Sequence, residues 1–135
     1  MGAEPVGGPA RTMFAAVKDN PALKDDMEGI GLVTLQSGRG YLVVSSQGNG
    51  SYAVFRREGD KVYVESFAIG ANAKPGIDGV SETDGLNVTE LSAGPGFEGG
   101  LMVAQDGRNI SPPERQNLKL VPWKAVSTAL KLDER

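Results

Sequence analysis

Short apolar stretches separated by turns recur about every ten residues through the first half of the chain. Turns rich in Gly, Asn or Asp are predicted at 36–40, 47–50 and 58–60. The β-branched and aromatic stretches around them predict four antiparallel strands, at 30–35, 41–46, 51–57 and 62–69. Alternation in the last strand places Tyr63 and Phe67 on one face and Val64 on the other. Both faces are largely apolar, so this sheet needs neighbours on both sides.

Three further strands and a short helix are predicted after a long loop at 70–84. The strands are at 85–91, 100–104 and 117–121. Pro122 favours a helix start, and Trp123, Val126 and Leu130 fall on one helical face. Near the start of the chain, residues 11–17 predict a short strand that ends before Pro21, because a proline pushes the preceding residue away from helix.

The order of these elements indicates an all-β fold. A four-stranded sheet that is apolar on both faces, followed by a three-stranded sheet, is typical of part of a β-propeller, whose blades bury their faces against one another. A small sandwich or barrel of seven strands is the alternative.

The amino-acid composition limits the kinds of catalytic and metal-binding site that the chain can form. The 135 residues include no Cys and no His, which excludes disulfides, thiolate zinc sites, Cys nucleophiles and His bases. Oxygen ligands remain, and these suit hard cations such as calcium. The net charge of −3 and the absence of a dense basic run argue against nucleic acid as a partner. No apolar run approaches the roughly 20 residues that span a bilayer, so no membrane association is expected.

Acidic side chains gather near predicted strand ends. Loops at one end of stacked sheets converge in space, so these carboxylates would together supply calcium ligands. The alternative is that they are solvated turn residues, since Asp is favoured in turns anyway. The residues are Asp25, Asp26, Glu28, Asp78, Glu82, Asp84 and Asp106.

Five segments carry a family resemblance. They are DMEGI at 26–30, GYLVVSSQGN at 40–49, SETDG at 81–85, VAQDGRN at 103–109 and QNLKLVPW at 116–123. In this order they resemble the C-terminal portion of the β-propeller phytases, from about residue 3 to residue 130. The resemblance implies part of a six-bladed propeller: the end of a preceding blade and a linker at 1–27, a four-stranded blade at 28–69, and the last, incomplete blade with a closing helix at 70–135.

The same resemblance implies a calcium-dependent hydrolase that removes phosphate from phytate (myo-inositol hexakisphosphate) or calcium phytate. Asp26 and Glu28 match catalytic acids at the channel mouth, and Gln47 matches an amide that contacts substrate phosphate. Arg108 stands where some members have an acid, and we assign it to phosphate. The matched calcium ligands are Glu28, Asp78, Gly79, Asp84, Asp106 and Asn109. Bound calcium neutralises phosphoryl charge and lowers the pKa of an attacking water.

The resemblance also implies partners and a location. Further calcium ligands and phosphate-binding residues come from the N-terminal blades of the family, so we expect little or no activity from these 135 residues alone. Family members are usually exported, which implies a secreted or periplasmic protein. Two alternatives stay open: a non-catalytic calcium-binding or interaction module on the same scaffold, and a structural piece without a ligand.

Overall fold

The structure, a computed structural model, describes residues 13–74 and 76–133. The first sheet is antiparallel with the strand order β1-β2-β3-β4. Its turns coincide with the Gly-rich segments, which supply the positive φ angles at Gly38, Gly50 and Gly59. The strands are β1 (Ile30–Thr34), β2 (Gly40–Ser46), β3 (Ser51–Arg56) and β4 (Tyr63–Phe67). All four strands predicted between residues 30 and 69 are therefore confirmed.

The second sheet is also antiparallel, with the order β5-β6-β7. Its strands are β5 (Leu86–Thr89), β6 (Leu101–Asp106) and β7 (Asn117–Pro122), and helix α1 (Trp123–Ala129) follows. Trp123 and Val126 are buried on one face of α1, as the helical spacing predicts. Short 3-10 turns lie at Val17–Asp19 and Gln47–Asn49.

A β-bulge in the first sheet changes which side chains share a face. Tyr52 pairs with Phe67, but the register shifts between Val54 and Phe55, so that Phe55 pairs with Tyr63. Phe67 stacks on Tyr52 at 5.2 Å on one face, whereas Tyr63 meets Phe55 edge-on at 5.7 Å on the other. The prediction that Tyr63 and Phe67 share a face was therefore wrong, because the extra residue of a bulge inverts the alternation beyond it.

The two sheets meet through their first strands, β1 and β5. Gly31 permits this approach: a Cβ there would lie 2.7 Å from both Leu86 Cδ1 and Val88 Cγ1. Contact at the first strand of each sheet is the arrangement of neighbouring propeller blades, whereas a sandwich overlays two whole sheets. The described residues form no closed barrel, and the fold is that of a partial propeller.

The larger hydrophobic core lies between the sheets. Tyr41, Val43 and Val54 contribute from the first sheet, and Met102 and Trp123 contribute from the second sheet and α1. A smaller cluster of Leu23, Val44, Ala53 and Phe55 covers the other face of the first sheet. Both faces of this sheet are thus covered in part, as its apolar pattern requires.

The segment before the first sheet differs from prediction. Residues 11 and 12 lie outside the described part of the chain, and 13–16 form no strand. Ala15 and Val17 instead pack on the smaller cluster, and Phe14 meets the Phe55 ring at 5.3 Å. The predicted strand at 11–17 was therefore wrong over its described residues, because their apolar side chains cover the face of a sheet rather than extend its edge.

Apolar side chains also remain exposed on the outer surfaces. Ile30 and Leu32 on β1 are 56% and 48% exposed, and Leu118 and Leu120 on β7 are 63% and 57% exposed. Exposed apolar pairs on two sheets suit further packing partners. The predicted boundaries of the four-stranded blade, at residues 27/28 and 69/70, remain predictions. No helix in the described residues has the length and apolar character needed to cross a membrane.

Candidate functional site

Most of the predicted site residues lie where strands of both sheets end on the same side. We call this region the strand-end edge, defined as residues 24–29, 47–49, 78–85 and 105–111. It holds the segments that precede β1 and β5 and those that follow β2 and β6. Antiparallel order places the start of one strand beside the end of the next, so segments far apart in sequence converge here.

Gln47 and Asp84 are brought together across the two sheets. Gln47 Nε2 donates a hydrogen bond to Asp84 Oδ1 at 3.0 Å. The backbone N–H of Asp84 donates to Gln105 Oε1 at 2.8 Å, and the N–H of Gln47 donates to the Asp26 carbonyl at 2.9 Å. Three residues with predicted roles, Asp26, Gln47 and Asp84, therefore form one connected group, which we call the Gln47 group.

Two serines hold the segment that carries Asp26 and Glu28. Ser45 Oγ accepts hydrogen bonds from the N–H groups of Glu28 and Gly29 at 3.2 and 2.8 Å. Ser46 Oγ accepts one from the Lys24 N–H at 2.7 Å. Both serines are buried. Ser45 and Ser46 thus position the segment at 24–29 that carries Asp26 and Glu28. We assign the two serines no contact with a ligand.

Glu28 lies apart from the Gln47 group. Its side chain is exposed and lines a mainly apolar cavity with Phe14, Leu23 and Met27. Within the described part of the chain, no hydrogen bond joins the Glu28 carboxylate to the other predicted site residues. Its predicted roles as a catalytic acid and a calcium ligand stay predictions.

A second group surrounds the ammonium of Lys119, and we call it the Lys119 cluster: Lys119, Asp78, Asp106 and Asn109. Lys119 Nζ lies 2.5 Å from Asp78 Oδ1, 3.1 Å from Asn109 Oδ1 and 3.3 Å from Asp106 Oδ2. The cluster is nearly dry, because the side chains of Lys119, Asp78 and Asp106 are 10%, 6% and 0% exposed.

Backbone donors complete the environment of these carboxylates. Asp78 Oδ2 accepts hydrogen bonds from the N–H groups of Ile110 and Ser111 at 2.6 and 3.1 Å. Asp106 Oδ1 accepts one from the Ser81 N–H at 3.1 Å. The cluster therefore joins the segments that precede β5 and follow β6 to the middle of β7.

Hydrogen bonding favours the charged forms of Asp78 and Lys119. The hydrogen bond from Lys119, followed by that from the Ile110 N–H, lowers the pKa of Asp78 from 3.8 to about 2. Burial lowers the pKa of Lys119, but hydrogen bonds to Asp78 and Asp106 outweigh burial and leave it raised. The pair is thus ionised at neutral pH.

The depressed pKa of Asp78 predicts a pH-dependent contribution to stability. A carboxyl with a folded-state pKa below its unfolded value stabilises the fold above about pH 4, and this contribution fades as the pH falls towards 2. We expect Asp78→Asn to unfold at a lower temperature than the wild type at pH 7. The difference between the two unfolding temperatures should narrow between about pH 4 and pH 2.

Thermal unfolding followed across this pH range checks the prediction. Asp60→Asn, in the exposed turn between β3 and β4, controls for the loss of one negative charge. A gap that stays constant down to pH 2 would show that Asp78 is not stabilised by its ionised contacts.

The predicted calcium ligands do not fit calcium as they stand. Calcium takes six to eight oxygens, but Asp78, Asp106 and Asn109 each turn one side-chain oxygen towards the Lys119 ammonium. The second carboxylate oxygens of Asp78 and Asp106 accept backbone hydrogen bonds. Asp84 lies in the Gln47 group instead. Within residues 13–74 and 76–133, no three acidic side chains come together as a metal site.

The remaining predicted residues have structural partners. Arg108 Nη2 lies 2.6 Å from Glu82 Oε1 in an exposed ion pair. Gly79 lies so close to the segment that follows β4 that a Cβ there would be 2.7 Å from the Ile69 carbonyl oxygen, so this position needs a glycine for packing. Neither contact tests the predicted roles of Arg108 in phosphate binding or of Gly79 in calcium binding.

Sequence reasoning missed three residues that hold the site together. Lys119 centres its cluster, Gln105 fixes Asp84, and Tyr52 forms a buried 2.6 Å hydrogen bond with Thr83, the neighbour of Asp84. The available signal for Lys119 was its place between Asn117 and Val121 on one face of β7, since a lysine on the inner face of a strand requires an anionic partner.

The chain matches known proteins over nearly its whole length. The family model described as Phytase matches residues 1–135. The chain is also similar to a 3-phytase from Bacillus subtilis (strain 168), with 41% identity over 131 residues. That match covers 95% of this chain and 33% of the relative, so the chain spans about a third of the relative's length. The chain belongs to the phytase family.

Proposed function

We propose that this chain forms part of the active site of a calcium-dependent phosphomonoester hydrolase that releases phosphate from phytate or calcium phytate. The observation that carries the proposal is the 3.0 Å hydrogen bond from Gln47 to Asp84. It joins an amide matched to phosphate binding with a carboxylate matched to calcium binding. Membership of the phytase family and the likeness to a 3-phytase support the choice of substrate.

The Gln47 amide is suited to hold a phosphate oxygen. A primary amide has two N–H donors, and the bond to Asp84 uses one of them. The other is free to donate to substrate with the side chain already oriented. A donor held in place in advance loses little free energy to reorganisation when charge develops on the phosphoryl oxygens.

Further charged residues of the strand-end edge would complete this chain's share of the site. Asp26 and Glu28 are exposed carboxylates that can act in proton transfer to water or the leaving oxygen. Arg108 is free to exchange its partner Glu82 for a phosphate, because an exposed ion pair contributes only about 0–1 kcal/mol.

The complete activity is proposed for a protein longer than these 135 residues. The match spans about a third of the 3-phytase, so the remaining calcium ligands and phosphate-binding groups would come from other blades. We therefore propose that these residues alone release phosphate slowly or not at all. Export from the cytoplasm is part of the same proposal and rests on the family resemblance.

Phosphate release from phytate by the complete protein tests this function. We expect release in millimolar calcium and its loss when a chelator is added, followed by recovery when calcium is restored. Release that is unaffected by the chelator would contradict calcium dependence. Calcium binding without any phosphate release would instead support a non-catalytic calcium-binding module.

A further inference from the structure

Tyr52 and Gln47 lie close together where β2 is connected to β3, and both bond to the loop before β5. The Tyr52 hydroxyl shares a 2.6 Å hydrogen bond with Thr83 Oγ1, and Gln47 Nε2 donates to Asp84 Oδ1 at 3.0 Å. Two adjacent residues of this loop are therefore each bonded to the same part of the first sheet. The proposed reaction uses only the Gln47 bond.

The two bonds differ in their exposure to water. Tyr52 and Thr83 are 2% and 5% exposed, and the Tyr52 ring is stacked on Phe67 at 5.2 Å. The bond between Gln47 and Asp84 is exposed. A buried hydroxyl cannot exchange its partner for water, so loss of the Tyr52 bond leaves a polar group unsatisfied, whereas an exposed bond is replaced by water at little cost. The buried bond therefore holds the loop, and the exposed bond forms where the loop is held.

Other bonds of this loop lie within the second sheet. The Gln105 N–H donates to the Gly85 carbonyl at 3.0 Å, and the Gly107 N–H donates to the Ser81 carbonyl at 2.8 Å. These bonds attach the loop to β6 and its end, but they do not set its distance from β2 and β3. The Tyr52 bond crosses between the sheets and sets that distance beside the site.

We propose that Tyr52 is a positioning residue that places the Gln47 amide for substrate phosphate. Its hydroxyl holds Thr83, the adjacent Asp84 is held with it, and Asp84 orients Gln47. Tyr52 acts through these residues, because its own hydroxyl is buried. The inference deepens the proposed function and rests on it for the identity of the substrate.

The variant Tyr52→Phe removes the hydroxyl and keeps the ring that stacks on Phe67. Net loss of one hydrogen bond corresponds to about a three- to tenfold effect. We expect kcat for phytate hydrolysis by the complete protein to fall by this factor with little change in KM. Thr83→Val should act alike, whereas Thr83→Ser keeps a hydroxyl and should retain most activity. Tyr63→Phe is the matched control with wild-type activity, because the Tyr63 hydroxyl bonds to Ser66 within β4 at 3.1 Å.

A double variant shows whether the effect passes through Gln47. In a Gln47→Leu background, Tyr52→Phe should cost little further activity, because the donor that Tyr52 places is already gone. Losses that multiply in the double variant would mean that Tyr52 supports the fold in general, and would overturn the inference. Wild-type activity of both Tyr52→Phe and Thr83→Val would overturn it as well.

Amide hydrogen exchange of the complete protein without substrate separates this inference from the proposed function. The Asp84 N–H donates to Gln105 Oε1 at 2.8 Å. We expect it to exchange about three- to tenfold faster in Tyr52→Phe than in Tyr63→Phe, because the loop opens more often. Faster exchange in a protein that releases no phosphate would contradict the proposed hydrolysis and still support the placing of the loop by Tyr52. Unchanged exchange would overturn the inference whatever the activity.

Discussion

Replacement of Gly31 by valine should separate the two sheets. A Cβ at this position would lie 2.7 Å from Leu86 Cδ1 and from Val88 Cγ1. The end of Leu86 can move, but Val88 is β-branched, buried and fixed in β5. Overpacking of this kind costs about 1–3 kcal/mol. The cost falls where β1 meets β5, so the variant should also loosen the Gln47 to Asp84 contact that spans the sheets.

Urea unfolding of Gly31→Val measures the first effect. Gly70→Val is the matched control, because a Cβ at Gly70 meets no atom within 4 Å. We expect a lower midpoint for Gly31→Val and little change for Gly70→Val. Equal midpoints for Gly31→Val and the wild type would mean that the sheets do not pack as closely as described.

Removal of the Gln47 amide should have the largest effect on catalysis. Loss of one preorganised donor to a developing oxyanion costs about 10²- to 10³-fold in rate. We therefore expect Gln47→Leu to lower kcat for phytate hydrolysis by this order while the protein stays folded. The Gln47 side chain is only half-buried, so its replacement should disturb packing little.

Phosphate release by the complete protein checks this expectation. Gln36→Leu provides the control, since Gln36 is exposed in the turn between β1 and β2, at the opposite end of the sheet. Its activity should match the wild type. If Gln47→Leu were as active as Gln36→Leu, Gln47 would have no role in substrate binding or catalysis.

Most of the fold could be predicted from local pattern. Alternation and turn residues place all seven strands, and the spacing of Trp123 and Val126 places α1. The bulge opposite Val54 and Phe55 could not be foreseen, because no residue in 62–69 is diagnostic of an inserted position. The segment at 13–17 was misassigned for a related reason: its composition suits both pairing at an edge and packing on a face.

The sequence predicted which residues lie near the site, but it did not predict all of the contacts between them. Convergence at strand ends anticipates that Gln47 and Asp84, 37 residues apart, come close. The Lys119 cluster could not be predicted, because the two faces of β7 compete. Leu118 and Leu120 suggest that their face is buried, yet they are 63% and 57% exposed, and Lys119 points inward. The contacts of Lys119 with Asp78 and Asp106, together with the packing of Val121 on the larger core, show which face turns inward.

A double-mutant cycle on Gln47 and Asp84 tests most directly whether the strand-end edge acts on phytate as one unit. The measured quantity is kcat/KM for phosphate release by Gln47→Leu, Asp84→Asn and the double variant. Because Gln47 is oriented by Asp84 at 3.0 Å, we expect the double variant to lose much less than the product of the two single losses. Losses that simply multiply, or single variants with wild-type activity, would contradict the account.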